Sequence, residues 1–242
     1  MTLIQPKRPL WLSILGFIAL AAFGIGAFLG LVYSPADVNQ GDLFRITYAH
    51  VSVVWIGFVA VIISAAFGML YLWRSKPSDD AWALASAEAG LLYFGLAVFG
   101  GMTYSKPTLG VFWTWDAKLT LTALAFALLV GYFIVRGLID DPQQRGRVSA
   151  IVSIMVFVSL PFNWMAAKWF RTLHPAKSIN VSAEGVSSTM SPVFGRILLV
   201  NVIAAALIFA YFLFERVRIA RLEQSHLDLE PTPTNKREVV RV

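Results

Sequence analysis

The sequence predicts an all-α integral membrane protein, a bundle of six transmembrane helices with both termini cytoplasmic. Three observations predict it. The 242 residues include 57% apolar but only 14% charged side chains, with a mean hydropathy of +0.68, whereas a soluble domain carries about 25% charge. Six stretches reach the roughly 20 apolar residues needed to cross a bilayer. The 20 Lys and Arg residues are also unevenly placed: thirteen fall on the side of the termini and seven on the other, the bias that sets cytoplasmic sidedness.

In order, the spans fall at about 10–32, 49–73, 81–104, 119–136, 148–167 and 193–214. Lys7 and Arg8 precede the first, as in a signal peptide, but its apolar run is too long and no small-residue cleavage site closes it, so it reads as an uncleaved anchor. The second opens at His50 and closes at Arg74. The third lies between Asp79-Asp80 and Lys106. Asp116 precedes the fourth as a candidate N-cap. The fifth carries Pro161, a residue that kinks helices. The sixth ends before Arg216, Arg218 and Arg221. These spans form one domain over 1–222, and the polar tail 223–242, with Pro231 and Pro233, reads as disordered.

A net charge of +6 does not indicate nucleic acid. The basic residues flank apolar runs, where anionic lipid holds them, so the partner this charge implies is the bilayer. Cysteine is absent, which removes thiol chemistry, Cys-ligated zinc, iron–sulfur clusters and thioether-linked haem from this chain. No Gly-rich phosphate loop closes with Lys-Ser or Lys-Thr, so the chain carries no ATPase motif of its own.

The polar chemistry lies in three outer segments, about 33–48, 105–118 and 168–192. The second contains Phe112-Trp-Thr-Trp-Asp-Ala-Lys118. Tryptophan alone at this depth is an interfacial belt residue. Two tryptophans in alternate positions, preceded by Phe and followed by Asp and Lys, suit an apolar shelf with a polar edge. That shelf matches a flat amphipathic ligand such as haem, whose macrocycle lies on aromatic rings and whose propionates pair with Lys or Arg. Of the three histidines, His226 lies in the tail and reads as a solvated bystander. Each of His50 and His174 alone reads as an interfacial hydrogen-bonding residue. Both share the outer face with the Trp-rich segment, and two imidazoles supply an axial pair for haem iron. Met190 is also on this face, a weaker candidate.

The chain resembles the cytochrome c maturation protein C family of haem-handling membrane proteins, also called haem exporter protein C. The matching pieces are Ser34 to Gly41, Arg45 to Val51, Lys106-Pro107, Trp113 to Thr120, Leu160-Pro161, Lys168-Trp169 and Thr172-Leu-His174. The resemblance implies haem b held without covalent bonds, with His50 and His174 as axial ligands on the periplasmic face of the inner membrane. It implies a shelf made by Trp113, Trp115 and Asp116, and basic positions that matter at Arg45 and Lys118; from their charge and place on the outer face, Arg45, Lys118 or Arg171 are the candidates to hold the propionates. It further implies delivery of haem to a periplasmic haem chaperone during cytochrome c maturation, alongside a small single-span subunit and an ABC-type ATPase complex, with no enzymatic role of its own. The chain departs from the family pattern at Tyr104-Ser105, at Leu109 and at Lys118, where Arg is frequent.

Three other functions compete. One is a haem-attaching synthetase of the same superfamily, which tends to be larger and richer in histidine. Another is a small-solute or ion transporter using Glu88, with Pro161, Asn163 and Asn201 as further mid-membrane candidates; Glu88 also reads as a near-interface residue that snorkels. The third is an electron-transfer cytochrome b, which places histidines inside paired spans.

Overall fold

The computed structural model describes residues 8–174, 179–182, 185–188 and 191–229, with side chains described up to 174 and over 191–223. It is a helical bundle: α1 (Leu10–Phe28), α2 (Ile46–Arg74), α3 (Pro77–Leu109), α4 (Ala117–Gly137), α5 (Pro142–Trp169) and α6 (Pro192–Leu229), with a hairpin of β1 (Ile179–Ser182) and β2 (Gly185–Ser188) before α6. All six helices are long and apolar enough to cross a membrane. A π-helical turn, Leu29–Tyr33, prolongs α1, and a 3-10 turn, Asp42–Arg45, leads into α2.

Local chemistry explains the ends. Asp116 and Asp141 cap α4 and α5 by accepting the N–H of Leu119 at 2.9 Å and of Gln144 at 2.6 Å, which satisfies otherwise orphaned donors. Pro77 and Pro142 open their helices, where a missing N–H costs nothing. Gly110, at φ 77°, stops α3 in the left-handed region.

Several boundaries differ from the sequence expectation. α3 runs on through Lys106 and Pro107, and the Thr108 hydroxyl donates to the Tyr104 carbonyl at 2.8 Å in that last turn. The expected outer segment 105–118 therefore shrinks to 110–116. α6 continues beyond 214 to Leu229, so the expected tail begins inside a helix. His226 lies on that helix and its side chain is outside the described residues, as are Lys177, Met190 and the tail from 230.

The core forms around α2, which packs on α3, α5 and α6, while α1 packs on α6 and α4 on α5 and α3. Without a hydrophobic drive between helices in lipid, close approach and van der Waals contact hold such bundles together. Small residues supply the approach. A Cβ on Gly146 would meet the Tyr71 ring at 2.5 Å, and one on Gly68 would meet Ser153 Oγ at 2.7 Å. Ala60 of α2 and Ala85 and Ala89 of α3 are buried in one cluster where the two helices meet.

Ion pairs close one end of the bundle. Arg74 binds Asp79 at 3.1 Å, and Arg136 binds Asp80 through two bonds of 2.8 and 2.6 Å. Glu88 and Arg216 join α3 to α6 by a bidentate pair of 2.6 and 3.0 Å. The opposite end carries His50.

Candidate functional site

At the His50 end, the starts of α2 and α4, the ends of α3 and α5, and segments 110–116 and 170–174 come together. His50 sits one turn into α2 because the Asp42–Arg45 turn and buried Tyr48 fix that start. Tyr48 exchanges a 2.7 Å hydrogen bond with Ser34 and packs edge-on against Phe44. The imidazole lies on the bare backbone of α3: a Cβ on Gly100 would be 3.3 Å from His50 Nδ1, and one on Gly101 3.4 Å from Cε1. Nδ1 is buried and has no hydrogen-bond partner among the described residues. His174 and Lys118 lie within electrostatic reach of this ring.

Asp116 organises the second histidine. One carboxylate oxygen caps α4; the other accepts the Thr172 hydroxyl at 2.6 Å and the Leu173 N–H at 2.9 Å. Thr172 Oγ1 in turn accepts the His174 N–H at 3.1 Å. One side chain thus pins the start of α4 to the segment bearing His174. Burial alone would raise the Asp116 pKa, but the donors from Leu119, Thr172, Leu173 and Lys118 outweigh it and hold the carboxyl below its ordinary value. Asp116 is expected from sequence as part of the aromatic shelf; its contacts are those of a clasp.

The two tryptophans divide the shelf. They meet edge to face at a centroid distance of 5.7 Å. Trp113 is half-buried with its Nε1 unpartnered among the described residues, while Trp115 is 81% exposed. Phe112, Val111 and Leu109 are exposed beside it, and Trp169, Phe170 and Leu173 present apolar surface from the other side. Lys106 donates to the Gly110 carbonyl at 2.9 Å and lies 5.2 Å from the Phe112 ring centroid. Tyr104, one of the family departures, donates a 2.5 Å bond to Gln40 and so ties α3 to segment 35–41.

The basic residues have structural partners. The Lys118 ammonium donates to the backbone and side-chain oxygens of Asn163, both at 2.8 Å, and Asn163 donates to Thr122 at 2.8 Å. Lys118 therefore bridges α4 and α5. Arg45 donates to the Leu31 carbonyl and pairs with Asp42 at 3.0 Å, yet its Nε stays buried without a partner among the described residues. Arg171 is exposed.

Of seven buried side-chain nitrogen or oxygen atoms without a partner among the described residues, four lie at this end, on Arg45, His50, Trp113 and Thr114. An unmet buried polar atom costs about 1–3 kcal/mol, so such a concentration marks a place where a ligand would relieve it. Among the described residues no three His, Asp or Glu side chains gather as a metal site. An axial pair needs only two donors, and two imidazoles at one end of the bundle beside an apolar shelf suit a flat iron macrocycle.

Sequence reasoning does not single out Gly100, Gly101 or Asn163 for this site. The Gly-Gly pair inside an apolar run was the available signal. The mid-membrane candidates are engaged: Glu88 with Arg216, and Asn201 with the carbonyls of Gly26 and Ile197 at 3.2 and 2.9 Å.

The family model described as Heme exporter protein C matches residues 5–230. Among curated relatives, Heme exporter protein C of Haemophilus influenzae is 32% identical over 164 residues, 67% of this chain and 66% of the relative. Heme exporter protein C of Escherichia coli K12 is 34% identical over 166 residues, 68% of this chain and 66% of the relative. The protein of that name from Bradyrhizobium diazoefficiens is 31% identical over 170 residues, 70% of this chain and 63% of the relative. The matched part thus spans just under two thirds of each relative's length.

Proposed function

This chain belongs to the Heme exporter protein C family, and from that premise we propose that it holds haem at the His50 end and passes it to a partner during cytochrome c maturation. The observation that carries the proposal is the His50 ring, whose Nδ1 is buried without a hydrogen-bond partner among the described residues and which lies within electrostatic reach of His174. Bound haem supplies iron with two axial positions and a planar apolar face.

Each residue then has a defined task. His50 offers one ligand nitrogen from a rigid helix, resting on Gly100 and Gly101. His174 offers the other from a segment that Asp116 holds through Thr172. A ligand on a tethered segment can withdraw while the helical one stays, which suits a site that must release its cargo. Trp115, with Phe112, gives the macrocycle an exposed aromatic bed and leaves one edge open. Arg45, whose Nε has no partner among the described residues, takes a propionate, with exposed Arg171 as a second cation. Lys118 stays with Asn163 and acts as a fixed positive charge beneath the site.

The remaining assignments follow the same premise. The His50 end faces the periplasm, both termini are cytoplasmic, and the membrane is the inner one. The acceptor is a periplasmic haem chaperone; a small single-span subunit and an ABC-type ATPase complex are the membrane partners. The chain contributes presentation of haem and no ATP hydrolysis. Glu88, held by Arg216, is a structural residue and not a transport site.

Haem content of the purified full chain tests the proposal. Wild type and His226→Ala are expected to carry equal haem by pyridine haemochrome, with the haem chaperone removing it on mixing. Wild type that stays colourless after haem addition would overturn the reading.

A further inference from the structure

At the end of the bundle opposite His50, a cavity of about 400 Å³ opens between the start of α3, the end of α4, the first turn of α5 and the last turns of α6. Its four charged residues differ in how well they are satisfied. Asp80 and Arg136 meet each other in two short bonds, and Arg136 also donates to Ser149 at 3.2 Å, so this pair is fully engaged. The Arg145 guanidinium lines the same cavity and has no hydrogen-bond or ion-pair partner among the described residues. Glu223, 62% exposed, comes no closer than 3.6 Å to Arg216, too far for a hydrogen bond. Leu84, Phe133, Ala81 and Ala220 complete an apolar wall.

The cavity thus presents one unpaired cation, one loosely held carboxylate and a greasy side, at the level where the spans end. We infer that it seats the headgroup of a zwitterionic aminophospholipid, its phosphate against Arg145, its ammonium against Glu223, and its first acyl carbons against Leu84 and Phe133. Three features favour this occupant. With Asp80 and Arg136 cancelling each other, the remaining lining charges are Arg145 and Glu223, so a purely anionic headgroup would leave the Glu223 carboxylate without a counter-charge. A free phosphate would leave the apolar wall unused. Arginine at a helix end beside the bilayer surface is where lipid phosphate is available. This inference does not depend on the haem reading.

The test is native mass spectrometry of the full chain from mixed micelles containing equal amounts of phosphatidylethanolamine, phosphatidylglycerol and phosphatidylcholine. Wild type is expected to retain phosphatidylethanolamine preferentially. Arg145→Gln lowers that adduct about fivefold, the effect of one near-surface basic residue, and Arg145→Lys restores most of it as a point charge. Glu223→Gln removes the preference over phosphatidylcholine, while Arg147→Gln, outside the lining, changes nothing. Equal retention of all three lipids, or phosphatidylethanolamine adducts unchanged in both Arg145→Gln and Glu223→Gln, overturns the inference. Arg145-dependent retention of phosphatidylglycerol above phosphatidylethanolamine overturns it equally, since the site would then be anionic.

Discussion

Asp116 and Thr172, 56 positions apart, are joined by a 2.6 Å hydrogen bond from the threonine hydroxyl to the carboxylate. This bond links the cap of α4 to the segment that presents His174, so one carboxylate serves the fold and the site together. Asp116→Ala loses both functions. The cap alone is worth about 1 kcal/mol, read as a lower Tm, and the released segment shows as weaker haem retention. Thr172→Val, which keeps the cap, lowers haem retention with little change in Tm.

The same carboxylate sets an acid limit. Its pKa is depressed in the folded protein, so its contribution is fully present above the ordinary carboxylate range and is lost as pH falls through the folded value. Haem retention attributable to Asp116 is therefore flat from pH 8 to about 5 and declines below about 4. Asp116→Asn is weaker at neutral pH and lacks this component of the acid decline, which a pH titration of the Soret band in both proteins checks.

Gly100 leaves the space that the His50 ring occupies. A Cβ at 3.3 Å from Nδ1 is tighter than most real contacts, and a larger side chain must move the ring. Gly100→Val is expected to alter the haem spectrum while the helix content by circular dichroism stays unchanged; Gly100→Ala has a milder effect. An unaltered spectrum in Gly100→Val would show that His50 does not reach its ligand from this wall.

Lys118 and Asn163 act as one unit. Removing either breaks a contact between α4 and α5, costing about 1–2 kcal/mol in a membrane interior. The double variant Lys118→Met/Asn163→Ala is expected to lose less than the sum of the single ones, measured as apparent Tm in detergent. Additive losses would mean that the ammonium serves a different partner.

Trp113 and Trp115 separate packing from presentation. Trp115, 81% exposed, can be removed with little cost to folding, so Trp115→Ala keeps Tm but slows haem transfer to the chaperone. Trp113→Ala, half-buried, lowers Tm as well. Stopped-flow transfer and thermal melts on both variants check the division.

Much of the bundle is legible in the chain because lipid imposes a simple rule on span length and charge. Six apolar runs locate the six helices, and Asp116 is recognisable as a cap from its place before the fourth. The end of α3 is not legible in the same way: Lys106-Pro107 looks like a stop, yet proline in a last turn only removes one donor, and the helix continues to Leu109. The hairpin before α6 is announced only by the alternation of Ile179-Asn-Val-Ser182, at the lower limit of length for reading a strand. At the site, residue types and the resemblance both point to haem, and which residues hold it is what the variants above test. What the chain hides is pairing across distance, in which Lys118 turns to Asn163, Asp116 reaches Thr172 and Glu88 meets Arg216. Each is set by helix packing, which no local pattern encodes.

The most direct measurement is the ferric absorption and electron paramagnetic resonance spectrum of the purified protein beside His50→Gly and His174→Gly, each with and without added imidazole. The account predicts a low-spin six-coordinate signal in wild type, high-spin haem or haem loss in each variant, and recovery of the low-spin signal when imidazole fills the vacated position. A low-spin signal that persists unchanged in either variant without imidazole would contradict the axial pairing of His50 with His174.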